Sequence, residues 1–112
     1  MIFDIKKVKI FVMVPNKNVE QLINSVCDAG AGVIGNYTHC TFSTKGKGSF
    51  VPNNEASPYI GKINKLEIVD EMKVEFVCDV NNVKNVLNTI RKVHPYEEPG
   101  IDIIPLLDES NF

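Results

Sequence analysis

Residues 8–15 read VKIFVMVP, a run of β-branched and aromatic residues that stops at Pro15. Such a run, apolar on both faces, predicts a central strand with neighbours on each side. Asn16 or Asn18 is then placed to cap a helix. Val19, Leu22, Ile23, Val26 and Cys27 follow at the i, i+3, i+4, i+7, i+8 spacing of one buried helical stripe, and Gly30 ends it.

From NYTHCTFSTKGKGSFVP the period changes to two, with Tyr37, His39 and Thr41 on one face and Thr38, Cys40 and Phe42 on the other. Lys45, Gly46, Lys47 and Gly48 read as a turn and SFVP as its return arm, so a β-hairpin is expected here. NNEASPYIGKINK is a polar loop without period. LEIVDEMKVEFVCDV alternates from Met72 onward, with Val74, Phe76 and Cys78 on one face and Lys73 and Glu75 on the other. It is one strand, or two joined near Val69 and Asp70. Val83, Val86, Leu87, Ile90 and Val93 form a second helical stripe, capped by Asn81 or Asn82, and GIDIIPL closes as a strand.

The order β-α-β, an inserted hairpin and loop, then β-α-β is the split βαβ, ferredoxin-like plan: α+β, with two helices on one face of an antiparallel sheet. The other sheet face is left open, and such faces and edges are commonly covered by self-association, here as a dimer or trimer.

The chain has 112 residues, enough for one domain (residues 1–112) with a real core. A net charge of −2 with no basic run gives no electrostatic footprint for nucleic acid or an anionic membrane. No apolar run approaches the ~20 residues that span a bilayer. Lys6, Lys7 and Lys9 interrupt the N-terminal apolar stretch, which reads as a first strand rather than a signal peptide. Cys27, Cys40 and Cys78 are odd in number and lack C-x-x-C spacing, which points to free thiols, a reducing compartment and hence the cytoplasm.

Gly30, Gly32 and Gly35 match G-x-G-x-x-G, but a dinucleotide loop must follow a strand and open a helix. Here the order is reversed, and a glycine-rich helix exit accounts for the triplet. Lys45, Gly46, Lys47 and Gly48 are a candidate phosphate nest, set against an ordinary hairpin tip with solvated lysines. In HPYEEPG, Pro95 drives His94 out of the helical region, so His94 ends the second helix at the negative end of its dipole. Glu97 and Glu98 are adjacent and point opposite ways in extended backbone. A helix-to-strand joint is therefore the favoured account of this segment. The competing account is a ligand site of Tyr37, His39, Cys40, His94, Tyr96 and Glu97. Within that set His39, His94 and Glu97, with Cys40, are candidates for a single divalent metal ion. No catalytic constellation stands out, which favours a non-enzymatic protein with an unidentified small-molecule ligand.

AGAGVIGNYTHCTFSTKGKGSFVP, SPYIGKINKLEIVDEMKVEFV and HPYEEPGIDIIPL together resemble the middle, YqfO-type domain of the Nif-three-like dinuclear-metal-centre family, over roughly residues 8–106. The resemblance implies a fold like the PII signalling proteins and the copper-tolerance protein CutA. It carries over the motif positions Gly35, Tyr37, His39, Cys40, Gly46, Gly48, His94, Pro95, Tyr96 and Glu97, without a task for them. Long members hold paired metal ions on histidines and carboxylates of two flanking halves. This sequence has two histidines and no His-His pair, so that site maps onto none of its residues, and the family's cyclohydrolase label is a poor guide to it. The expectation is a cytoplasmic binding or regulatory homo-oligomer. The alternatives are a metal-binding protein and a nucleotide- or phosphate-binding sensor of PII type.

Overall fold

The computed structural model describes residues 4–112. The elements are β1 (Lys7–Pro15), α1 (Val19–Asp28), β2 (Phe42–Phe50), β3 (Glu67–Asp79), α2 (Val83–Val93) and β4 (Gly100–Leu106). All ladders are antiparallel and the strand order is β2-β3-β1-β4. This is the expected α+β, ferredoxin-like arrangement, with β1 and β3 inside and β2 and β4 at the edges.

Alternation along the inner strands builds the core. Val8, Ile10, Val12 and Val14 are buried on one face of β1, where they stand opposite Cys78, Phe76, Val74 and Met72 of β3. Leu22, Val26 and Cys27 of α1 and Val86 and Ile90 of α2 complete the same cluster. Both helices thus lie on one sheet face, their stripes where the spacing predicts. Burying each Leu, Ile or Phe side chain contributes about 1.5–3 kcal/mol. The register puts Lys7, Lys9, Phe11 and Met13 on the other face of β1, beside Glu71, Lys73, Glu75 and Val77 of β3. That second face mixes charged and apolar side chains instead of being apolar throughout.

The helices are far apart in sequence, yet the end of α1 lies beside the start of α2. Gly30, at φ 106°, ends α1 as expected. Asn18 and Asn82 stand at the N-caps, yet neither side chain caps its helix. Asn82 Nδ2 instead donates to Ala29 O at 2.7 Å, and Asn85 Nδ2 donates to the same carbonyl at 3.3 Å. The second helix start therefore satisfies an orphan carbonyl at the end of the first.

Two sequence expectations are corrected. There is no hairpin turn at Lys45, Gly46, Lys47 and Gly48: these residues lie inside the continuous strand β2, paired with Met72, Glu71, Asp70 and Val69. Gly48 serves close packing against Glu71 of β3 rather than a reversal, and the chain reverses over residues 51–66 instead. Residues 33–41 are not a strand either. Gly32, Gly35 and His39 adopt positive φ, and only Ile34 and Tyr37 bridge. β3 is one strand rather than two. Among the described residues, no helix is long and apolar enough to cross a membrane.

Candidate functional site

The site grows from the end of α2. Pro95 holds His94 in an extended conformation, φ −72° and ψ 133°, which stops the helix. His94 is buried, and its Nε2–H donates to Met13 O at 2.7 Å. Its Nδ1 accepts from the Tyr96 backbone N–H at 3.1 Å. A carbonyl can only accept and an N–H only donate, so these two bonds select the neutral imidazole protonated on Nε2. Burial lowers the His94 pKa below 6.5, outweighing the Met13 carbonyl and the Glu71 charge, which act the other way. His94 is thus a neutral clasp between the helix end and β1.

The clasp sets Tyr96 over the open end of the sheet. Its hydroxyl donates to Glu71 Oε2 at 2.9 Å. Its ring centroid lies 5.9 Å from that of Phe50, edge-on, and 6.4 Å from that of Tyr59. Burial, followed by the bond to Glu71, holds the Tyr96 phenol well above its ordinary pKa. It stays a neutral donor across the physiological range.

Glu71 is the unexpected member. By register it belongs to the sheet face opposite the helices, yet it is 8% exposed. One of the two glycines of β2 explains its position. Gly46 pairs directly with it, and a Cβ on Gly48 would collide with its carboxylate. The side chain lies in the space that Gly48 vacates, while the position of a Cβ on Gly46 stays clear. Above it opens a pocket of about 520 Å³, lined by Met13, Phe50, Pro58, Tyr59, Tyr96 and the loop between β2 and β3. Glu97 and Glu98 stand on its wall, and Glu97 Oε1 accepts from the Ser57 N–H at 3.0 Å, tying that loop down.

The structure brings together three of the residues singled out from the sequence: His94, Tyr96 and Glu97. Tyr37, His39 and Cys40 lie elsewhere, in the loop beside the end of α1. There His39 Nε2 is 3.6 Å from Asp28 Oδ1, and Tyr37 is 75% exposed. Asn82 and Asn85 hold the end of α1 at the start of α2, whereas His94 lies at the end of α2. The 11 residues of α2 span about 16 Å. The set His39, Cys40, His94 and Glu97 is therefore split between opposite ends of the fold, beyond the ~2 Å bonds of a shared metal ion. Among the described residues, no group of three or more His, Cys, Asp or Glu could hold a metal ion. Lys45, Gly46, Lys47 and Gly48 form no turn-like nest, because their backbone is extended and paired with β3. They border a smaller cavity of about 260 Å³, and Lys47 Nζ pairs with Asp70 Oδ1 at 2.6 Å.

Sequence reasoning missed Glu71, Phe50 and Tyr59. Glu71 sits in an alternating strand beside Lys73 and Glu75 and looks like one more solvated charge. The available signal was the pair of glycines in β2, because glycine within a strand often marks a close approach by another group.

Over 102 residues, 91% of its length, the chain is 43% identical to the GTP cyclohydrolase 1 type 2 homolog of Halalkalibacterium halodurans, matching 27% of that protein. A Bacillus cereus protein related to NIF3 has a solved structure that matches with a TM-score of 0.81 at 36% identity, over 96% of this chain and 27% of that one. The chain is thus similar to one segment of these longer Nif-three-like proteins. It spans about a quarter of the length of the curated relatives it matches. No family model matches the chain. CutA from Synechococcus elongatus matches with a TM-score of 0.69 at 14% identity, covering 95% of this chain and 81% of that one. GlnK from Bacillus subtilis gives 0.59 at 16%, covering 90% and 85%. At these identities the likeness shows the fold alone, which this chain shares with them.

Proposed function

We propose that this Nif-three-like domain is a cytoplasmic, non-enzymatic binding or regulatory module that takes a small molecule in the Glu71–Tyr96 pocket and works as a homo-oligomer. The observation that carries the binding part is the pocket itself. A cavity of about 520 Å³ is within the range of ligand sites, and it combines apolar and aromatic walls with a few aimed polar groups. The non-enzymatic part rests on how those groups are used. His94 has both ring nitrogens engaged in structural bonds, and Tyr96 is held protonated, so neither is poised to move a proton. The cyclohydrolase of the relatives' name belongs to proteins more than three times as long and forms no part of the proposal.

Self-association is supported by the sheet face without helices, which carries Phe11 and Met13, and by Phe42 and Ile104 on its edge strands, 68% and 45% exposed. The three cysteines are free, in keeping with a reducing compartment. Two measurements test the proposal. A chemically unbiased small-molecule screen by thermal shift should yield binders, because ligand at ~100 times its dissociation constant stabilises by about 2.7 kcal/mol. Their amide chemical-shift changes should centre on Glu71, Tyr96 and Phe50. Light scattering at micromolar concentration should show an oligomer; a clean monomer defeats that part.

A further inference from the structure

Glu71 is 8% exposed as a residue, and its carboxylate lacks a cationic partner. Tyr96 donates to its Oε2, whereas Oε1 lies against Gly48 on the pocket wall and is left open to whatever fills the pocket. Among the described residues, Lys47 pairs with Asp70 and His39 Nε2 stands 3.6 Å from Asp28 Oδ1, and neither contact involves Glu71. Register explains why the nearby lysines do not help. Lys45 and Lys47 pair with Met72 and Asp70, on the sheet face opposite Glu71. Lys73 shares the Glu71 face, but its Nζ lies 5.6 Å over the Phe11 ring. His94 is buried and neutral, with Nδ1 already accepting a hydrogen bond. A carboxylate taken out of water without a counter-charge is costly, and such groups are ordinarily paired.

Everything around Glu71 matches a cation. Phe50, Tyr59 and Tyr96 present aromatic rings to the pocket, and aromatic faces attract ammonium and guanidinium groups. Tyr59 does so within the molecule, since Lys17 Nζ lies 5.4 Å over its ring. Glu97 and Glu98 add two further carboxylates to the wall. No Lys, Arg or His is among the residues that line the pocket.

We infer that the pocket takes a small organic cation, an amine or guanidine with an apolar stem, whose charged head meets Glu71 Oε1 beside the contacting Tyr96 and Phe50 rings while its stem lies along Tyr59 and Pro58. This rests on the proposed function above and names the ligand class for that same pocket. A purely anionic ligand faces three carboxylates there. A neutral one leaves the Glu71 charge unmatched.

The test is titration calorimetry on the full chain with matched probes: n-butylamine, phenethylamine and agmatine, against butanol, phenethyl alcohol and butyrate. The amines and agmatine should bind at least tenfold more tightly than their neutral or anionic counterparts. Glu71→Gln keeps the side-chain shape and an oxygen for the Tyr96 hydroxyl, so the fold is expected to persist while amine affinity falls at least tenfold. Glu98→Gln, on the rim, should cost only a few-fold. The inference is overturned if the alcohols match the amines, or if Glu71→Gln binds them as well as wild type. If neutral or anionic compounds bind the pocket and cations do not, the ligand class is wrong and the binding-module proposal stands. If neither these probes nor the unbiased screen bind, both are wrong.

Discussion

Gly48 is the residue that allows Glu71 to be buried: across the β2–β3 ladder, a Cβ at position 48 would occupy the space of the Glu71 carboxylate. Gly48→Ala should therefore expel the carboxylate from its place beneath Tyr96 or force the edge strand outward. Over-packing of this kind costs about 1–3 kcal/mol. Chemical denaturation should show that loss for Gly48→Ala. Gly46→Ala, where an added Cβ meets nothing within 4 Å, should be far milder. Equal effects at the two positions would mean that strand propensity, not the carboxylate, sets the requirement for glycine.

Tyr96 contributes a ring and a hydroxyl, and two substitutions separate them. Tyr96→Phe leaves Glu71 Oε2 buried without its donor and should cost about 1–3 kcal/mol. Tyr96→Ala also removes the ring from Phe50, Tyr59 and His94 and should cost about 3 kcal/mol or more. The alkaline side supplies a second readout. Because the folded phenol is raised above 10, the unfolded chain loses its proton first. The stability Tyr96 contributes is complete below pH 10 and declines as pH rises beyond it. Wild type should therefore lose stability above pH 10 more steeply than Tyr96→Phe.

The core and helices were legible in the sequence because their signals are periodic and local. The Val19–Cys27 and Val83–Val93 stripes and the Met72–Cys78 alternation each repeat a geometry that a buried face imposes. Lys45, Gly46, Lys47 and Gly48 misled because glycine serves both turns and crowded strands, and only the partner strand decides between them. The pocket was half legible. HPYEEPG announced a joint and supplied Tyr96 and Glu97. Glu71 and the loop carrying Tyr59 come from distant parts of the chain, brought there by the β2–β3 register and by Glu97 holding Ser57. No short window contains that information.

The Asn82 contact predicts an effect remote from the pocket. Asn82→Ala removes the 2.7 Å bond to Ala29 O, leaving Asn85 at 3.3 Å as a poorer substitute. A loss of about 0.5–1.5 kcal/mol is expected. Since Glu71 and Tyr96 lie at the other end of α2, pocket binding should be unchanged. Calorimetry on Asn82→Ala with whichever probe binds wild type checks this.

His94 makes stability depend on pH, and the direction follows from its environment. Its folded pKa is depressed below 6.5, chiefly by burial, with Glu71 and the Met13 carbonyl opposing the shift. Above pH 6.5 the imidazole is neutral in both folded and unfolded chains, and its contribution is complete. As pH falls through that value the unfolded chain takes up a proton that the folded one resists, so stability declines toward the folded pKa and levels off beneath it. Protonating Nδ1 in the folded state also breaks the bond it accepts from the Tyr96 N–H, which positions the tyrosine over Glu71. His94→Gln removes the titrating group, so its stability between pH 7.5 and pH 5 should fall less than that of wild type. Urea midpoints for both proteins across that range provide the measurement, and parallel curves would show that His94 is not the group responsible.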